Sequence, residues 1–197
     1  MSASKGGQFE REICKTLSLW WTGDDRDDVF WRTSQSGGRA TTRSKEGRET
    51  FGQYGDIQAT DPIGQPLINF FCIELKKGYN NASFSNSFDA IPRRGKRESR
   101  PKRPNDILSF IRQAVRQCRQ ANSLTWMLIH RRDYRQTMIF IPTYMWQMIL
   151  SYVEKNDHDP VDVPTLAFTN DKMSITQLSL QSFLEEVPPF IFEELKT

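Results

Sequence analysis

Three residues of this 197-residue chain have the types and spacing to do chemistry together: Asp56, Glu74 and Lys76. Glu74 and Lys76 stand two apart in Ile73-Glu74-Leu75-Lys76. Residues two apart on a strand share a face, so these two project side by side while Ile73 and Leu75 turn into apolar packing. Asp56 follows Gly55 at the start of Gly55-Asp56-Ile57-Gln58-Ala59. Two carboxylates with a lysine beside them can hold a divalent cation and serve an attacking water. A bare Glu-x-Lys also describes an internal ion pair, and the companion Asp56 is what favours the chemical reading.

The elements that must position them can be read from the pattern. Gly55–Lys77 reads as two strands joined by a Pro/Gly turn, with Leu67–Leu75 as a central strand covered on both faces. Residues 5–21 read as a helix with Phe9, Ile13, Leu17 and Trp20 on one apolar stripe and Glu10 at its border. The aspartate-rich turn 23–28 reads as a solvated loop, and Val29–Thr33 as a short strand. Residues 34–53 form a long polar loop of net positive charge. After Lys77 comes an irregular segment in which Arg93–Arg103 holds seven basic residues and one acidic, a composition suited to phosphate contacts.

Downstream, Asn105 or Asp106 caps a helix to about Gln120, with Ile107, Phe110, Ile111, Ala114, Val115 and Cys118 on its apolar face. Arg112, Arg116 and Arg119 lie on the other side. Leu124–His130 and Thr137–Ile141 read as an antiparallel pair. His130 at the strand end reads as a packing residue rather than a base. A helix follows from Thr143 to about Val153, then short strands at Thr165–Phe168 and Met173–Gln177. A last helix at Ser179–Val187 is stopped by Pro188-Pro189.

The totals fit one elaborated domain. Net charge is +3, but residues 151–197 carry −6 and residues 1–150 carry +9, which places positive potential on the part holding Asp56, Glu74 and Lys76. The three cysteines are far apart and form no CxxC pair, which suits a reducing compartment and suggests neither a zinc site nor a disulfide framework. No apolar run reaches membrane-spanning length and no signal-peptide core is evident at the N-terminus, so the expectation is a soluble, cytoplasmic protein without a membrane partner.

The order helix, three strands, helix, strand, with a glutamate on the first helix, an aspartate on the second strand and Glu-x-Lys on the third, resembles the PD-(D/E)xK nuclease superfamily. The pieces are Lys5-Gly6 with Phe9-Glu10-Arg11-Glu12, then Arg32 and Ser36-Gly37-Gly38, then Gly55-Asp56-Ile57-Gln58-Ala59, then Ile73-Glu74-Leu75-Lys76. They look most like archaeal-type Holliday junction resolvases and related phage or prophage nucleases. The resemblance implies an α/β, restriction-endonuclease-like core (αβββαβ, a central mixed sheet flanked by helices) over residues 1–142. A basic insertion would occupy about 78–104, and a C-terminal extension over 143–197 would pack on the core. The chain departs from the pattern in having Gly rather than Pro before Asp56, and in its long loop, basic insertion and acidic C-terminal region. These extras bear on substrate choice more than on chemistry.

By resemblance, Asp56, Glu74 and the Leu75 backbone carbonyl would bind Mg2+, with Mn2+ as a substitute. Lys76 would position or activate the water. Glu10 would serve a second metal or stand behind the first, and Gln113 would support the water or the lysine. Arg11, Arg32 and Ser36, with Arg39, Arg43, Arg93, Arg94, Lys96 and Arg97 of the basic loops, are candidate DNA contacts. The implied activity is a Mg2+-dependent endodeoxyribonuclease acting on Holliday junctions or branched DNA in recombination, as a homodimer, in a bacterial or phage-infected cell. A duplex-cleaving or nicking restriction-like enzyme, a catalytically inactive DNA-binding relative and an RNA-acting nuclease stay open at this point.

Overall fold

The computed structural model describes residues 5–33, 54–84, 106–155, 163–170 and 173–195. Helix α1 (Lys5–Thr22) buries Phe9, Ile13 and Leu17 of the expected stripe, with Cys14 beside them, while Trp20 is half-buried. The Ser18 hydroxyl donates back to the Cys14 carbonyl and accepts from the Phe30 N–H at 2.9 Å, tying the helix to strand β1 (Phe30–Arg32). The turn between them is pinned by Arg26, which pairs with Asp28 at 3.0 Å and Asp61 at 2.8 Å.

β1 pairs antiparallel with β2 (Ile57–Ala59) in a small two-stranded sheet. The expected hairpin between Asp56 and Glu-x-Lys does not form. Asp61 caps a 3-10 turn at Pro62–Gly64 by accepting from the Ile63 N–H, and helix α2 (Gln65–Phe70) follows with Pro66 in its first turn. Leu67–Phe70 is therefore helical, and strand β3 begins only at Phe71 (Phe71–Lys77).

Among the described residues β3 is also an edge strand rather than a central one. The main sheet runs β3-β4-β5-β7-β6, with β4 (Thr125–Arg131), β5 (Thr137–Pro142), β6 (Leu166–Asn170) and β7 (Met173–Ser179). β3 and β4 are parallel, joined through helix α3 (Ile107–Ala121), and the remaining pairs are antiparallel. The Asp106 carboxylate caps α3 by accepting from the Ser109 N–H. This five-stranded mixed sheet flanked by helices is a restriction-endonuclease-like fold.

The alternation along β3 sorts the core into two layers. Ile73 and Leu75 join Phe9, Ile13 and Leu17 of α1, together with helix α4 (Thr143–Lys155), α5 (Leu180–Glu186) and α6 (Ile191–Glu194). Cys72 turns the other way, towards Ile107, Phe110, Ile111 and Ala114 of α3. Within α4, Trp146, Ile149 and Val153 are buried as expected, while Leu150 is half-buried. Short helix α6, which the sequence pattern did not suggest, inserts Phe192 among Phe70, Phe71 and Phe183.

Candidate active site

The edge position of β3 makes the site. Asp56 donates its N–H to the Ile73 carbonyl at 2.8 Å, and its Oδ2 accepts from the Leu75 N–H at 2.7 Å. A strand residue's N–H and C=O point to the same edge, so the Leu75 carbonyl is directed to the Asp56 side as well. The approach is close. Gly55 sits at φ +73°, and a Cβ there would lie 2.7 Å from the Ile73 carbonyl oxygen. Glycine is what this position requires, on both counts. Thr33 holds the segment from the other side, its N–H donating to the Asp56 carbonyl and its hydroxyl to the Gly55 carbonyl, both at 3.0 Å.

Glu74 and Lys76 project together from β3 towards α3. Glu74 is 1% exposed. Its Oε1 accepts from both the Lys76 ammonium and the Gln113 side-chain amide. Its Oε2 is buried with no hydrogen-bond partner among the described residues. Lys76 Nζ lies 5.7 Å from the centroid of the Phe110 ring, which stands three residues before Gln113 and so on the same face of α3.

Electrostatics separate the two carboxylates from ordinary surface acids. Burial and then the neighbouring Glu74 raise the Asp56 carboxyl from its usual range to about 7, against the pull of Lys76. Burial likewise raises Glu74, partly offset by Lys76 and by the charge of Arg116. Burial lowers Lys76, but Glu74 and Asp56 outweigh it and hold the ammonium above its ordinary value. Two raised carboxyls beside a protonated lysine are in need of further positive charge.

A family model described as "Phage putative PDDEXK endonuclease" matches residues 1–192. The chain belongs to that family. Comparison with curated proteins and with solved structures gave no match. Membership supports a nuclease, which would bind DNA, and PDDEXK nucleases generally use divalent metals.

The residues of this PDDEXK chain fit such an ion. Among the described residues no group of three or more His, Cys, Asp or Glu side chains is placed to hold a metal. What is present is a pair of carboxylates, one with an orphaned buried oxygen, beside a backbone carbonyl edge. Few carboxylates, with water and substrate phosphate completing the shell, is the arrangement Mg2+ favours.

The other expected site residues divide. Glu10 is on α1 and accepts from Arg32 at 3.3 Å, and its charge contributes to raising both Asp56 and Glu74. Arg32 thus already has a carboxylate partner within the protein. Arg11 is half-buried on the same helix. Ser36, Arg39, Arg43, Arg93, Arg94, Lys96 and Arg97 lie outside the described residues. His130 is buried and donates from Nε2 to the Gly78 carbonyl at 3.0 Å, and burial lowers its pKa. Thr33 and Phe110 were not anticipated. The i to i+3 spacing of Phe110 and Gln113 was the signal for one of them, while Thr33 carried none.

Proposed function

We propose that this chain is a divalent-metal-dependent DNA endonuclease that hydrolyses phosphodiester bonds at the Asp56–Glu74–Lys76 edge of β3, with Mg2+ as its ion and branched DNA as its substrate. The observation that carries the reading is the buried Glu74 Oε2, which has no hydrogen-bond partner among the described residues and belongs to a carboxylate whose proton affinity is raised together with that of Asp56. A buried, unpaired charged oxygen costs several kcal/mol unless something satisfies it, on the order of the penalties known for buried ions.

Asp56, Glu74 and the Leu75 carbonyl would hold the ion. When bound, it supplies neutralising charge at the scissile phosphate and a more acidic water. The protein does the rest by positioning. Gln113 and Lys76 both bind Oε1 of Glu74, fixing the rotamer that presents Oε2. The Lys76 ammonium stays protonated, so it acts by orienting the water and stabilising negative charge rather than by taking a proton. Glu10, held by Arg32, stands behind the pair and adds the negative charge that draws a cation in.

Asp56→Ala, Glu74→Ala and Lys76→Ala are each expected to abolish Mg2+-dependent cleavage, with far-UV circular dichroism unchanged. Four-way junction, linear duplex and single-stranded DNA are compared with Mg2+ and with EDTA. Normal cleavage by Glu74→Ala overturns the site, and equal cleavage of all three DNAs overturns the branched-DNA preference. Cleavage of a symmetric junction on both strands calls for two such sites and hence a homodimer, which sedimentation at micromolar concentration checks.

A further inference from the structure

The β4–β5 turn stands at the same end of the sheet as the carboxylates, because β3 and β4 are parallel and Lys76 and Lys77 pair with His130 and Arg131. Its sequence is Arg131-Arg132-Asp133-Tyr134-Arg135-Gln136. The Arg135 N–H donates to the Arg132 carbonyl at 3.2 Å, closing a β-turn with Tyr134 at its third position. Tyr134 has φ +58°, a conformation glycine or asparagine adopts readily and a bulky aromatic does not. Its ring is fully exposed. A fully exposed aromatic in a strained turn is an outlier that points to function.

The turn is coupled to the strand that carries Glu74 and Lys76. The Asn80 amide donates to the Asp133 carboxylate at 3.1 Å, and the Asp133 N–H donates to Asn80 Oδ1 at 2.8 Å. The Gly78 N–H donates to the Arg131 carbonyl at 2.9 Å. These bonds fix the turn against the segment leaving β3. That segment starts at Gly78 and Tyr79, and Tyr79 is itself at φ +54° and half-exposed. Arg131 is used internally, forked onto Glu12 and lying over Phe9, and the Asp133 carboxylate is bonded to Asn80. Arg135 is exposed and Arg132 half-buried, and both line the groove beside the turn.

Beside the turn lies a groove of about 270 Å3. Arg132, Arg135, Gln136 and Gln177 give it cationic and amide groups, and Met138 and Phe140 give it an apolar lining. It is too small for a duplex and suits a single base with its sugar, near the lower end of ligand-pocket sizes, about 300 Å3. Guanidinium groups bind phosphate, amides bond base edges, and an exposed ring offers a stacking face.

We propose that this groove and Tyr134 receive one unpaired nucleotide of the DNA substrate, which would make the enzyme selective for sites where the duplex is opened. The inference rests on the nuclease reading and gives it a structural basis for substrate choice.

The test is binding in Ca2+ of two DNAs of one sequence, a perfect duplex and the same duplex with a short mismatched bubble carrying 2-aminopurine. The wild type is expected to prefer the bubble and to quench the 2-aminopurine. Tyr134→Gly removes the ring and relieves the backbone, so it is expected to fold at least as well while losing about tenfold in bubble affinity, with little change on duplex. Tyr134→Phe is expected to retain the preference, and Arg135→Ala to weaken both DNAs. Unchanged bubble preference and quenching in Tyr134→Gly overturn the inference. A wild type that binds neither DNA overturns both this inference and the nuclease reading. Tyr134-dependent quenching without cleavage in Mg2+ supports the inference and overturns the nuclease reading alone.

Discussion

At the scale of residues, the two carboxylates trade stability against readiness for a cation. The folded Asp56 carboxyl titrates at about 7, above its ordinary value near 4. Between about pH 4 and pH 7 the folded chain therefore holds a proton that the unfolded chain has lost. Stability of the metal-free protein falls as pH rises through that window and levels off above it. Asp56→Asn keeps an acceptor for the Leu75 N–H and removes the buried charge. In EDTA at pH 8 this variant is expected to be more stable than the wild type by on the order of 1–3 kcal/mol, and to show a shallower loss of melting temperature between pH 5 and pH 8. Added Mg2+ or Mn2+ is expected to raise the wild-type melting temperature and to leave that of Asp56→Asn unmoved. A variant no more stable than the wild type at pH 8, with the same pH slope, would sink the assignment of Asp56 as a strained carboxylate awaiting a cation. The types and strand alternation of Glu74 and Lys76 were legible because period-2 geometry needs no tertiary information. That Oε2 is the unsatisfied oxygen was not, because it depends on Gln113 arriving from a helix 39 residues away.

At the scale of elements, the lesson lies between Asp56 and Glu74. The run from Leu67 to Leu75 is apolar apart from Asn69 and Glu74, and such a run cannot be divided into helix and strand by periodicity alone. The division is made by punctuation at its start. Asp61 caps the 3-10 turn, Gly64 precedes the helix and Pro66 occupies its first turn, which is the ordering expected of a helix N-terminus. The two strands expected to pair as a hairpin are thereby separated. Asp56 meets the edge of β3 through backbone and side-chain bonds instead of through a ladder. That contact hangs on Gly55. Gly55→Ala brings a Cβ to 2.7 Å from a backbone oxygen in a left-handed conformation. The expected cost is about 2–4 kcal/mol by urea denaturation, with weaker metal binding as Asp56 is displaced from β3. A change within about 0.5 kcal/mol would show that the 55–56 segment has room to shift and that the close approach is not required.

At the scale of the whole molecule, the acidic C-terminal region bears on whether the first strand of the site is held at all. β7 and β6 complete the main sheet beyond β5, and α5 and α6 return across its face to α1. The Trp20 indole donates to the Val187 carbonyl at 3.2 Å. Phe192 is 1% exposed, with ring centroids 5.0 Å from Phe70, 5.6 Å from Phe71 and 6.2 Å from Trp20. One residue five from the chain's end thus packs against the junction of α2 with β3 and against α1. The sequence pattern ended with the proline pair at Pro188-Pro189 and offered no reason to expect this, since a four-residue helix shows no periodicity to read. Phe192→Ala is expected to cost about 3–5 kcal/mol, because the surrounding aromatics come from four elements and cannot collapse together into the space. Urea unfolding followed by tryptophan fluorescence measures this directly, with Trp20 and Trp21 as reporters beside the cavity. The denaturant slope should stay the same, since the unfolded chain gains no new exposure. Metal binding at low temperature should also be retained, because Glu74 lies three residues beyond Phe71 and on the α3 side of the sheet. A loss below about 1 kcal/mol, or a second transition in which the C-terminal region unfolds separately, would mean that α6 rests on a finished domain instead of completing its core.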